Sequence, residues 1–358
     1  MKAKLIIIGG FLGAGKTSLL WDTAKKIKES GGSVGLITND QASGLVDTAF
    51  LETGPDLVRE VSGSCFCCNF NGFADAVMYI RDKNKGGVII AEPVGSCADL
   101  SATLMQPVKA KYSEFIDLAP LTVLADPARL KEILAGASSL ADYIILKQFE
   151  EADIILINKT DLISKDELAG LIKRTCEKWG GTTVLSASVK TGEGLNKWFN
   201  IVTQAKEAGT KIADVDYDIY AEGEAAFGWL NISFSISPEM NLEKSASNLL
   251  SALSRRFDEI NVNVGHVKFI LETGNKQIIA NITGKADTAS LRKFDRISGN
   301  EAAALTVNAR VEMPPRELEV IVQEEVNNAF GSRNCKITAL NSLIPGRPKP
   351  TFRHDRVV

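Results

Sequence analysis

The side chains best suited to chemistry stand in a few short stretches. Gly10-Phe-Leu-Gly13-Ala14-Gly15-Lys16-Thr17 fits the pattern G-x-x-x-x-G-K-[ST]. Glycines in such a loop let the backbone curl until its N–H groups face phosphate oxygens, at the positive end of the following helix. Gly10, Gly13, Ala14, Gly15 and Ser18 would supply that nucleotide cradle. Lys16 would reach the β- and γ-phosphates, and Thr17 would offer its hydroxyl to Mg²⁺. Glu92 closes the apolar run Val88–Ala91, and Gly95 follows shortly after. A carboxylate at the end of a strand beside a phosphate loop is where Mg²⁺ or its waters are held. Gly95 would admit the backbone close to the γ-phosphate. Asp40, after the run Ser33–Thr38, is a second Mg²⁺ candidate, with a plain turn former as the alternative.

Cys65-Phe66-Cys67-Cys68 is the unusual stretch. Three thiols in four residues cannot all face one way along an extended strand, so a turn must converge them. A helix should start soon after, capped by Asn71, and a helix N-terminus lowers a thiol pKa. Such thiolates suit Zn²⁺ or another borderline or soft divalent metal. Redox chemistry is the competing reading, and buried structural cysteines are the third. A closed tetrahedral site needs a fourth ligand. Cys97 is a candidate that would tie bound metal to the Glu92–Gly95 loop, although water, a carboxylate or a partner protein would also serve. Cys176 and Cys335 look like core thiols. The chain has only two histidines, which excludes a His-rich metal tail.

These groups need a frame. Residues 4–205 alternate short Ile/Val/Leu runs with helical stretches, as strands buried on both faces of a parallel sheet do. The runs are Lys4–Gly9, Ser33–Thr38, Gly87–Ala91, Leu121–Ala125, Asp153–Ile157 and Thr182–Ser186. Helices are expected over Lys16–Glu29, Phe73–Asp82, Lys165–Trp179 and Leu195–Ala208. The fold class is therefore α/β, a mostly parallel doubly wound sheet of the P-loop NTPase kind, with ligands at the carboxyl ends of the strands. Residues 1–208 form this first domain and 209–224 a polar linker. Residues 225–345 show a β-α-β-β-β-α-β order, a smaller α+β domain with a hairpin at Gly274-Asn275. Residues 346–358 are expected to be an extended tail. Lone His266, in an apolar strand, is a packed residue rather than a ligand.

Composition narrows the function classes. The 358 residues hold 41 Lys+Arg against 44 Asp+Glu, a net charge of -3. That balance argues against nucleic-acid partners and against a polybasic membrane anchor. Lys2 and Lys4 before the apolar stretch Leu5 to Gly15 imitate a signal peptide, but Lys16 follows at once. No run approaches the ~20 apolar residues of a membrane span. Six cysteines are too sparse for a disulfide scaffold, so the expected compartment is the cytoplasm.

Asn158-Lys159-Thr160-Asp161 resembles the N-K-x-D element of GTPases. Its chemistry fits: Asp161 can accept from both the ring N–H and the exocyclic amine of guanine, and adenine offers neither donor on that edge. A site built on such bonds rejects the wrong base by ~10⁴ or more in the best cases. Asn158 and Lys159 would brace the pocket. Ser186-Ala187-Ser188 resembles the companion loop whose backbone contacts the guanine oxygen. Taken alone, Asn158–Asp161 would read as a helix N-cap turn.

Gly10–Thr17, Cys65-x-Cys67-Cys68, Glu92-x-x-Gly95 and Asn158–Asp161 together resemble the CobW-like group of P-loop metallochaperone GTPases, relatives of HypB and UreG. Phe227-Gly-Trp-Leu and Gly265-His-Val-Lys look like the C-terminal module of that group. The resemblance implies GTP hydrolysis with Mg²⁺, catalysed through Lys16, Thr17 and Glu92 and coupled to delivery of Zn²⁺ or Co²⁺. The client would be a metalloprotein or a cofactor pathway such as cobalamin's, reached through the C-terminal domain, with a nucleotide-dependent homodimer as one assembly. No arginine finger is identifiable, so intrinsic turnover should be slow. The chain departs from the group at Asn39-Asp40-Gln41-Ala42, often N-E-F-G, and at Ser96-Cys97-Ala98-Asp99, often L-A-D-P. Rival readings are an ATP-using kinase, a metal buffer or redox sensor that binds nucleotide, and a nucleotide switch or reactivation factor for a corrinoid or other metalloenzyme.

Overall fold

The structure, a computed structural model, describes residues 2–40, 57–84, 86–237, 241–274, 276–284, 290–294 and 302–358. The chain divides into two compact units, the first ending at Gly223 and taking in residues 347–358, the second holding Glu224–Gly346.

Unbroken apolar runs make the strands of the first unit. They are β1 (Ala3–Gly10), β2 (Val34–Asp40), β3 (Leu57–Ser62), β4 (Val88–Glu92), β5 (Ile116–Leu118), β6 (Thr122–Ala125), β7 (Ile154–Ile157) and β8 (Thr183–Ser186). They form one sheet in the order β3-β2-β4-β1-β6-β7-β8, with β5 beside β1. Every ladder is parallel. Ile6, Ile7 and Ile8 are fully buried, because helices cover both faces of such a sheet. β1 pairs β4 through Lys4–Ile7 and β6 through Ile8–Gly10, so its carboxyl end opens between them. The ends of β2, β4, β7 and β8 lie along the same edge, where a doubly wound sheet binds its ligands.

The helices of this unit are α1 (Lys16–Glu29), α2 (Phe70–Lys83), α3 (Gln106–Tyr112), α4 (Pro127–Leu134), α5 (Leu140–Glu151), α6 (Lys165–Lys178), α7 (Leu195–Gln204) and α8 (Tyr217–Ala225). Strands β3 and β5 and helices α3, α4, α5 and α8 go beyond the expected set. Most are a few residues long, too short for a period to stand out. Helix α2 starts earlier than expected, and its cap is Asn69, which accepts from the Gly72 N–H at 3.1 Å, not Asn71. Cys176 is exposed rather than in the core, since its place on α6 faces away from buried Leu171 and Thr175. Cys335 is half-buried.

Residues 209–223, expected within a linker, pack as part of the first unit. The Asp153 carboxylate accepts from the Gly209 N–H at 2.6 Å and the Thr210 N–H at 2.9 Å. Residues 347–358 have no regular secondary structure and lie against the same unit.

The second unit is a six-stranded antiparallel sheet in the order β12-β11-β10-β13-β9-β14. Its strands are β9 (Gly228–Ile236), β10 (Val264–Thr273), β11 (Lys276–Ile282), β12 (Ser290–Phe294), β13 (Ala303–Val311) and β14 (Cys335–Leu343). β12 is the strand that the expected order lacks. Alternation along β9 points Leu230, Ile232, Phe234 and Ile236 into one core. There they meet Leu249, Leu253 and Phe257 of α9 (Leu242–Glu259) and Leu318, Val322 and Val326 of α10 (Pro315–Phe330). The expected hairpin closes at Thr273 and Lys276, with Gly274 at φ 54°; Asn275 lies outside the described residues. Among the described residues, no helix is long and apolar enough to cross a membrane.

Candidate functional site

The loop after β1 forms a cradle. Gly15 sits at φ 100° as the N-cap of α1, and a Cβ there would run into the Asn158 amide. Only glycine allows that conformation and that approach together. The buried Lys16 ammonium donates to the carbonyls of Gly10 at 2.9 Å and Phe11 at 3.4 Å. Thr17 donates its hydroxyl to the Glu92 carboxylate at 3.0 Å, and both are buried. A hydroxyl and a carboxylate oxygen are the hard donors Mg²⁺ prefers, so this pair fits that ion. Gly95 lies next to them: a Cβ on it would come within 2.8 Å of Lys16 Nζ and 3.1 Å of the Leu12 nitrogen. Ser18 is half-buried in the first turn of α1.

The base-reading candidates converge as well. Asn158 Nδ2 donates to the Ala14 carbonyl at 2.8 Å, and Asn158 Oδ1 accepts from the Val189 N–H at 3.2 Å. One amide thus ties the phosphate loop to the loop after β8. Ser188 donates its hydroxyl to Asp161 at 2.7 Å, and Lys190 stands 3.5 Å from the same carboxylate. Burial opposes ionisation of Asp161, but the Ser188 bond and the Lys190 charge outweigh it and hold its pKa below the ordinary value. Thr160 N–H donates to the Ala187 carbonyl at 3.3 Å, and Ala187 N–H to Ile157 at 2.8 Å, which ties Ser186–Ala187 to the end of β7. Lys159 takes a left-handed φ of 57° and pairs with Asp126 at 2.8 Å. Asp126 also caps α4 through the Ala128 N–H at 2.9 Å. Sequence reading passed over Asp126, although an Asp before a Pro at a helix start is a recognisable cap.

The cysteine loop follows β3. The N–H groups of Cys68 and Asn69 both reach the Cys65 carbonyl at 3.0 Å, a tight turn that feeds α2. Phe66 is fully buried, its ring centroid 4.6 Å from that of Phe73. Burying such a ring is worth ~2 kcal/mol and anchors the turn. Cys65, Cys67 and Cys68 sulfurs fall within 4.8 Å of one another. Cys65 and Cys67 are 2.8 Å apart and Cys67 and Cys68 3.8 Å. Sulfurs around tetrahedral Zn²⁺ sit about 3.8 Å apart, given Zn–S bonds of ~2.3 Å. Cys97 is not one of these three, but its buried thiol lies near enough to act on the ionisation of Cys65 and Cys67. Bonds from Cys67, Cys68 and Cys97 pull the Cys65 thiol far below its ordinary pKa. The bond with Cys65 pushes Cys67 up, and Cys68 up to about 11. The neighbouring thiols thus favour one shared negative charge within the cluster.

The holders of this loop are distant in sequence. Asn39, at the end of β2, donates to the carbonyls of Val61 at 2.7 Å and Ser64 at 2.8 Å and accepts from the Phe66 N–H at 2.8 Å. Gln148 of α5 donates to the carbonyls of Gly95 at 3.0 Å and Cys97 at 2.8 Å. Sequence reading found neither role, since nothing local marks them. Asp40 is the last residue of β2, opposite Ser62 of β3. Its side chain, the second Mg²⁺ candidate, lies outside the described residues.

Residues 4–185 match the CobW/HypB/UreG nucleotide-binding domain. The chain is 29% identical over 182 residues to zinc-regulated GTPase metalloprotein activator 1 of Schizosaccharomyces pombe, covering 48% of this chain and 42% of that one. It is 31% identical over 160 residues to the zinc chaperone YeiR of Escherichia coli, covering 43% and 46%. The chain thus spans less than half the length of these curated relatives. Among solved structures, nickel-bound HypB of Helicobacter pylori aligns at TM-score 0.43 and 18% identity, over 57% of this chain and 87% of that one. Zn(II)-bound YjiA GTPase of E. coli aligns at TM-score 0.37 and 14% identity, over 93% and 99%. With its phosphate loop, buried Thr17–Glu92 pair and Asn158–Asp161 loop on one sheet edge, this chain belongs to the CobW/HypB/UreG family through a nucleotide-binding domain that covers half of it.

Proposed function

We propose that this protein hydrolyses GTP and couples nucleotide state to the binding and delivery of a transition metal held by Cys65, Cys67, Cys68 and Cys97. One observation carries the coupling. Glu92, bonded to Thr17, ends β4, and Cys97, whose thiol acts on Cys65 and Cys67, lies on the short loop that follows it. A nucleotide that moves Glu92 and Gly95 therefore moves a thiol of the metal site, and the coupling is reciprocal.

Asp161 selects guanine by accepting two hydrogen bonds, with Asn158 and Lys159 holding its loop. Lys16 turns from the loop carbonyls to the β- and γ-phosphates, where its charge offsets the charge spreading over the transferred group. Mg²⁺, when bound by Thr17 and Glu92, supplies further neutralisation of the phosphate oxygens. Gly95 leaves room for an N–H beside the γ-phosphate and for the attacking water. Zinc is the favoured cargo: four sulfurs suit it, and two relatives carry zinc in their names. Cobalt is the alternative. The thiol cluster is consistent with a reducing cytoplasm. The second unit is the proposed docking surface for a client metalloprotein.

The test is a competition titration of anaerobically purified protein with Zn²⁺ and Co²⁺, in GTP-Mg²⁺ and in GDP-Mg²⁺. One metal per chain, with an affinity that changes between nucleotides, is the expected result. Tight binding that ignores the nucleotide sinks the coupling. A second reading, redox sensing, draws on the 2.8 Å approach of Cys65 and Cys67. It predicts no metal under reducing conditions and a reversible disulfide on mild oxidation.

A further inference from the structure

Segment 347–358 takes no part in the chemistry above, yet it is laid across the cysteine loop. The Lys349 N–H points at Cys68 Sγ from 3.2 Å. Thr351 donates its hydroxyl to the Cys68 carbonyl at 2.9 Å and its N–H to the Cys67 carbonyl at 2.8 Å, and its hydroxyl accepts from the Phe70 N–H at 3.4 Å. The Phe352 ring stands edge-on to Phe70 with centroids 5.3 Å apart, and the Lys111 ammonium lies 3.4 Å from the Phe352 centroid. Arg353 Nε donates to the fully buried Asp99 at 2.8 Å, and the His354 N–H reaches the Ala102 carbonyl at 3.1 Å.

Two features separate this arrangement from ordinary packing. Cys65, Cys67 and Cys97 are buried, whereas Cys68 alone of the four is partly exposed, and the segment bonds to its sulfur. Asp99 is held at a left-handed φ of 65° between the Tyr217 hydroxyl, 2.7 Å away, and Arg353. It belongs to the same loop as Glu92, Gly95 and Cys97. A non-glycine residue keeps such a conformation only where its surroundings over-determine it.

We propose that residues 347–358 are a strap that closes the cysteine site, with Arg353 as the latch on Asp99 and Cys68 as the thiol it guards. The proposal rests on the metal reading of these thiols. The strap has no ladder of its own, so a few contacts decide whether it opens. Closed, it holds Cys68 in the ligand set and shields it. Lifted, it opens a path for a metal ion or a competing thiol. Arg353 is a positioning residue, acting on Cys68 through the strap. Because its anchor lies on the Glu92 loop, the latch is the point where nucleotide state reaches the mouth of the site.

The experiment measures alkylation of each cysteine in the reduced, metal-free 358-residue chain by N-ethylmaleimide and peptide mass spectrometry. Wild type is compared with Thr351→Val, Arg353→Ala and Arg353→Lys. Cys68 should react about tenfold faster in the first two, the factor for losing one good hydrogen bond, with partial rescue by Arg353→Lys. Cys65 should stay unchanged. Unaltered Cys68 rates in folded variants would overturn the strap, and so would equal acceleration at all four thiols, which signals unfolding of the whole loop. Thr351→Val decides the matter if Arg353→Ala does not fold. Zinc release to a chelator, measured on the same variants, should accelerate in parallel. Wild type that binds no zinc defeats the metal reading, while the alkylation rates still report on the strap.

Discussion

At the nucleotide end of the first unit, the groups that define the site come in contiguous stretches. Gly10–Ser18, Asn158–Asp161 and Ser186–Ser188 each sit where a strand ends, and each is braced by its neighbours on the sheet edge. At the cysteine end the thiols are almost contiguous, but what holds them is scattered. Asn39, Cys97, Gln148 and Thr351 belong to four separate segments. Phosphate recognition needs backbone N–H groups at one curvature, which a short glycine-rich motif encodes by itself. Four sulfurs at tetrahedral spacing need several directions of approach, which a single turn cannot provide. The loop Glu92–Asp99 belongs to both ends.

If the two ends are separate machines joined by one loop, substitutions should divide cleanly. Lys16→Ala should lower GTP turnover by about 10³-fold, as losing a main transition-state charge does. It should leave the metal stoichiometry intact, measured by anaerobic titration. Cys67→Ser should weaken zinc binding by more than about 100-fold, beyond the range seen for supporting residues around a metal. GTP affinity should hold within a few-fold; if it collapses, the cysteines are structural and the division fails. Cys97→Ser addresses the joining loop: a loss of the same order marks a ligand, whereas less than about tenfold assigns the fourth position elsewhere.

Asp161→Asn should cut the preference for GTP over ATP by about 100-fold in competition binding, since an amide cannot accept both guanine donors. Zinc affinity should not follow.

The smallest effect concerns the brace of the joining loop. Glu151 is fully buried and accepts from the Ser101 N–H at 2.7 Å, and burial pushes its pKa up to about 8. Its folded form holds a proton that the unfolded chain has released above about 4.5. Stability is therefore present at low pH and lost as pH rises through that window, by at most about 1.4 kcal/mol per pH unit. Glu151→Gln should flatten this slope in denaturant titrations across pH, and an unchanged slope would assign it to another group.

The parallel sheet and its ligand edge were legible because double burial writes continuous Ile/Val/Leu runs, as in Leu5–Ile8 and Ile154–Ile157. Lys16, Thr17, Glu92, Asn158 and Asp161 were legible because each follows such a run at a fixed offset. Helices α4 and α5 escaped notice despite the Asp126-Pro127 start and the Ser139–Asp142 capping box, since their caps stand without a long period behind them. The roles of Asn39 and Gln148 left no local trace. Both bond to backbone carbonyls of segments far away in sequence, and such a bond needs only an amide at the right point in space.

The sequence alone determined the candidate phosphate cradle, the carboxylate proposed to read guanine and the presence of a thiol cluster, because contiguous motifs carry their own backbone geometry. Tertiary structure alone decided that the Cys97 thiol comes near Cys65, that Thr17 meets Glu92, and that residues 347–358 return to Cys68 and Asp99. Those pairings close long loops of chain. They exist only after the sheet has fixed where each strand ends and so which distant side chains share one edge.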